Sequence, residues 1–130
     1  MQRYKLPILD DVTETLVKND PLGGKFNMTT QIPDPVTLTQ DLIRFNTVNP
    51  PGDEDQVCNY LARLLEAAGF ECRKVEFAPR RMSLVAKIGA CNAALPSICF
   101  TGHVDVVPLG SRPWTHGPFE GVVSEGKLFG

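Results

Sequence analysis

Cys99-Phe100-Thr101-Gly102-His103-Val104-Asp105-Val106-Val107-Pro108 is the stretch that decides how this chain reads. It closes an apolar run over residues 97–107. Such a run, nearly free of charge and ended by proline, is expected to be a strand buried on both faces of a sheet. In a strand, residues i and i+2 share a face. His103 and Asp105 are therefore expected to converge at the strand's C-terminal end, where open α/β sheets usually place ligands. A neutral imidazole ligates a metal at roughly 2.0–2.1 Å. Its other ring nitrogen needs an acceptor that fixes the tautomer, and a nearby carboxylate supplies one. Gly102 removes a side chain where a backbone or substrate could approach. The His-x-Asp pattern alone is short, and an ordinary hydrogen-bonded surface pair explains it too.

Working outward, residues 70–77 alternate with Phe70, Cys72, Val75 and Phe77 among charged neighbours, and residues 82–88 form a second strand-like run. Small residues over 89–95 make a loop. Before these strands, Val57, Tyr60, Leu61, Leu64, Leu65 and Ala68 recur at helical spacing, and Gly69 stops the helix. Asp53 is expected to cap it, with Glu54 and Asp55 in the first turn, where the macrodipole favours acids. Asn49-Pro50-Pro51-Gly52 ends an earlier helix. That helix runs to about residue 45 from a cap at Thr37 or Thr39, with Leu38, Leu42, Ile43 and Phe45 as its apolar face. Downstream, residues 108–121 are a Pro- and Gly-rich loop, and residues 122–129 read as a hairpin turning at Glu125-Gly126. The order helix, helix, strand, strand, strand, hairpin predicts an α/β domain with a mixed sheet and helices packed on it. No internal repeat is visible.

Residues 1–35 differ from the rest and read as an N-terminal extension leading into a domain over 36–130. They hold Pro21, Gly23, Gly24, Pro33 and Pro35 and one weakly periodic stretch over 8–17. Met28 reads as a second possible start, which makes residues 1–27 an extension or an upstream misassigned start.

The 130 residues suit one domain, and 42% hydrophobic with 22% charged side chains is the balance of a globular protein. A net charge of −2 offers no basic stripe for nucleic acid and no polybasic anchor for a membrane. No apolar run reaches the roughly 20 residues of a membrane span. The N-terminus lacks the apolar core of a secretory signal, which makes a cytoplasmic location the default. Cys58, Cys72, Cys91 and Cys99 form no C-x-x-C pair and are expected to be buried, reduced core thiols. A thiol or redox protein is the reading they would otherwise suggest, and no local motif supports it.

The segment from Phe100 to Pro108, followed by Trp114, by Gly117-Pro118-Phe119 and by Gly126-Lys127-Leu128-Phe129-Gly130, resembles one family. Upstream, Asn49-Pro50-Pro51-Gly52 with Glu54, and residues 64–70, agree with it. The resemblance covers about residues 36–130. It is to the zinc-dependent metallohydrolases that include aminoacylase, acetylornithine deacetylase, succinyl-diaminopimelate desuccinylase and glutamate carboxypeptidase. It implies the N-terminal part of an α/β mixed-sheet zinc-hydrolase catalytic domain, incomplete here, with the rest of that domain and a dimerisation domain absent. It also implies two zinc ions about 3.5–4 Å apart in the complete enzyme, with cobalt or manganese as substitutes.

In that frame His103 matches a histidine that ligates one metal, and Asp105 matches the catalytic-site aspartate that holds the histidine in place. The family's bridging aspartate, glutamate base, two further carboxylate ligands and second histidine have no counterpart in these residues. In the family an Arg-Gly-x-x-Asp stretch follows Leu-Phe-Gly, and this sequence stops at Gly130. The implied activity is hydrolysis of the amide bond of N-acyl amino acids or small peptides by metal-activated water. A homodimer is expected for the full-length protein only. The alternative is a truncated, catalytically inactive remnant, because one histidine and one outer carboxylate do not close a zinc site. Such a piece would leave an unpaired sheet edge and an exposed apolar face, which invite aggregation.

Other side chains read more simply. His116 is expected to be a loop histidine, although the family often has an acid there. Trp114 and Phe119 are expected to pack the loop. Glu54 fits an outer active-site role and a helix N-terminal acid equally well, and Arg80-Arg81 reads as a solvated turn.

Overall fold

The computed structural model of the chain describes residues 33–89 and 96–130. The readings of residues 1–32, of Cys91 and of the loop over 90–95 lie outside the described residues.

Helix α1, Pro35–Ile43, starts one turn earlier than its sequence suggests. Asp34 is the cap: its carboxylate accepts from the Thr37 backbone N–H at 2.9 Å and from the Thr37 hydroxyl at 3.1 Å. Pro35 fits the first helical position because its fixed φ is helical and it lacks an N–H that would go unpaired. Thr37 and Thr39 are thus not the caps. Thr39 instead donates its hydroxyl to the Pro35 carbonyl at 2.7 Å.

Helix α2, Asp55–Ala67, follows the Asn49-Pro50-Pro51-Gly52 turn and ends before Gly69, as its periodicity predicts. Its cap differs from expectation. Glu54 occupies the cap position without a side-chain cap bond, and Asp53 pairs with Arg80 instead of the helix. Both carboxylates are drawn to the two arginines of the next turn, which outcompete backbone N–H groups as partners for an anion.

Strands β1 (Glu71–Ala78) and β2 (Arg81–Lys87) pair antiparallel from Glu71↔Lys87 to Glu76↔Met82, with a bulge between Glu76 and Ala78. Among the described residues the buried apolar side chains are Val57, Cys58 and Ala62 of α2, the helix that packs on this sheet. The Cys58 thiol donates to the Met82 carbonyl at 3.4 Å. The opposite face of the sheet is open, with Phe77 62% and Val85 57% exposed. Strands β3 (Val122–Ser124) and β4 (Lys127–Phe129) form the expected hairpin. Glu125 and Gly126 turn it with φ of 49° and 71°, the pair of positive angles a type I′ turn requires. Gln40 ties the hairpin to α1 by donating to the Gly121 carbonyl at 2.7 Å.

The third strand is a correction. Residues 96–105 have no regular secondary structure and belong to no ladder, and Ile98, Phe100 and Val107 are 82%, 92% and 79% exposed. A doubly buried strand needs hydrogen-bonded neighbours on each side. Among the described residues this segment has one isolated parallel bridge, Val48↔Val106. The expected mixed sheet is likewise not formed among the described residues, where the strands make two separate antiparallel pairs. The α/β character holds. Among the described residues no helix is long and apolar enough to cross a membrane.

Candidate functional site

The segment carrying His103 and Asp105 lies against the turn after α1, and main-chain bonds hold it there. Val106 N–H donates to the Thr47 carbonyl at 3.1 Å, and Asn49 N–H donates to the Val106 carbonyl at 2.8 Å. Thr47, 2% exposed, adds its hydroxyl to the Val104 carbonyl at 2.6 Å. Burying a hydroxyl is tolerated because it is hydrogen-bonded.

On that support the two expected site residues meet. His103 Nδ1 lies 3.1 Å from Asp105 Oδ1 and 2.8 Å from the Asp105 carbonyl. Both partners are acceptors, so Nδ1 is the donor, and in a neutral ring that leaves the lone pair on Nε2. The imidazole is 84% exposed and the carboxylate 35%. The two side chains do meet, although the segment is irregular chain rather than a paired strand.

Asp105 has a second partner that local sequence reading missed. Asn49 Nδ2 donates to Asp105 Oδ2 at 3.0 Å. This bond is the main cause holding the Asp105 carboxyl below its usual range, with burial opposing and His103 adding to the lowering. Asn49 Oδ1 in turn accepts from Arg81 Nη1 at 3.2 Å. Arg81 also donates to the Pro51 carbonyl at 3.2 Å and, through Nε, to Glu54 Oε2 at 2.8 Å. Glu54 is only 3% exposed. Gly52, with φ of 82°, lets the guanidinium pass: a Cβ there would lie 2.5 Å from Arg81 Nε. Arg81 is therefore not the solvated-turn residue its sequence suggests. Arg80 is, with φ of 62° and its side chain in an exposed pair with Asp53.

The remaining candidates stand apart from this pair. His116 packs against Phe129 with ring centroids 4.6 Å apart and planes tilted by 50°, a packing role. Trp114 donates its indole N–H to the Leu109 carbonyl at 3.2 Å and braces the loop. Cys58 is buried and Cys72 half-buried, but Cys99 is exposed, against expectation, because the strand that would bury it is not built.

As a metal site the donor set is partial. A single exposed imidazole with Nδ1 held by a carboxylate is the form a metal-ligating histidine takes. Among the described residues, no group of three or more His, Cys, Asp or Glu side chains could hold an ion.

Comparison with curated proteins finds similarity to several named succinyl-diaminopimelate desuccinylase. The one from Paracoccus denitrificans is 46% identical over 104 residues, covering 78% of this chain and 25% of its own. The one from Caulobacter vibrioides is 45% identical over 98 residues, covering 75% of this chain and 24% of its own. The one from Wolbachia pipientis is 39% identical over 98 residues, 75% of this chain and 23% of its own. The chain thus spans about a quarter of the length of these relatives. No family model and no solved structure matches it.

Proposed function

We propose that this chain, which belongs to the metallohydrolase family of the succinyl-diaminopimelate desuccinylases, is the part of an amide hydrolase that supplies one metal-ligating imidazole and its orienting carboxylate. The substrate class is an N-acyl amino acid, with an N-succinyl diamino acid as the leading member, from the names of its relatives. The observation that carries this reading is the His103–Asp105 pair, with Nδ1 at 3.1 Å from Oδ1 on an imidazole 84% exposed.

His103 would hold the metal through Nε2, and Asp105 would keep the ring from rotating and raise the basicity of the ligating nitrogen. Zinc held there supplies a water acidified toward neutrality and a Lewis acid for the amide carbonyl. Gly102 leaves the approach to the imidazole open, since nothing lies within 4 Å of where its Cβ would stand. The exposure of His103 gives an incoming ion and substrate access, while the buried Thr47 and the main-chain bonds behind it keep the support rigid.

A second reading is favoured by the donor count. One imidazole with one outer carboxylate does not close a tetrahedral zinc site, so these residues alone would be catalytically inert. One assay separates the two readings. The natural polypeptide carrying this segment is tested with N-succinyl-diaminopimelate and other N-acyl amino acids, before and after chelation. Chelator-sensitive hydrolysis supports the enzyme, and its absence supports the inert remnant.

A further inference from the structure

We draw no further inference here: the strongest candidate, the apolar groove between α1 and the 104–109 segment that Leu42, Ile43, Val104, Val106 and Trp114 line, is an unpartnered surface, and nothing in the structure shows what covers it.

Discussion

Asp105 is held below the ordinary carboxylate range, first by the Asn49 amide and then, against the opposing effect of burial, by His103. A folded-state value below the unfolded one gives stability that is complete above the unfolded value and is lost as the pH falls through the folded value. The thermal midpoint is therefore expected to drop as the pH falls below the ordinary carboxylate range, and Asp105→Asn should flatten that limb relative to wild type. A limb of unchanged slope in the variant would assign the acid sensitivity elsewhere. The cysteines give a second check. Burial, then Glu54 and Asp55, push the Cys58 thiol up, so it stays protonated and slow to alkylate at neutral pH. Exposed Cys99 should take an alkylating reagent first, and mass mapping that finds Cys58 labelled before Cys99 contradicts this arrangement. His103 and Asp105 were legible as a pair because their meeting depends only on i to i+2 geometry. Asn49 and Arg81 were not, because their bonds join residues 56 and 32 positions apart, and nothing in the local pattern encodes that meeting.

At the scale of elements, the turn after α1 and the head of α2 are locked by the Arg81–Glu54 pair. The Glu54 side chain is 4% exposed and Arg81 22%. Glu54→Ala leaves a half-buried guanidinium without its counter-charge. The cost should be about 3 kcal/mol, the lower end for breaking a buried pair, read as a shift in urea unfolding. Glu54→Gln keeps an acceptor and should cost clearly less. Equal losses would mean that the charge is not what holds the turn. The helices themselves were readable from period and stop signals, Gly69 among them. Their caps were misread because a cap is a competition. Asp34 won at α1 by standing before Pro35, and at α2 the arginines took Asp53 and Glu54 away from the helix N-terminus. Strands β1 and β2 and the Glu125-Gly126 turn were legible because each carries its own local signal, whereas the antiparallel pairing of β1 with β2 was not read.

At the scale of the molecule, the apolar run that read as a strand buried on both faces is, among the described residues, largely exposed. Alternation and apolarity state what a segment needs on its faces, not whether the described residues provide it. Phe100 at 92% exposure and Ile98 at 82% make this run a surface for self-association of the chain as it stands. Phe100→Glu should lower concentration-dependent association in sedimentation without moving the unfolding midpoint by more than about 0.5 kcal/mol, the range of a surface substitution. Loss of folding in that variant would mean that Phe100 is packed. The most direct measurement of the central claim is hydrolysis of N-succinyl-diaminopimelate by the natural protein carrying this segment, with metal content, for wild type and His103→Ala. The expected result is chelator-sensitive turnover in wild type, with one metal and most activity lost in the variant. Full activity and full metal content in His103→Ala would contradict the assignment of His103 as a metal ligand.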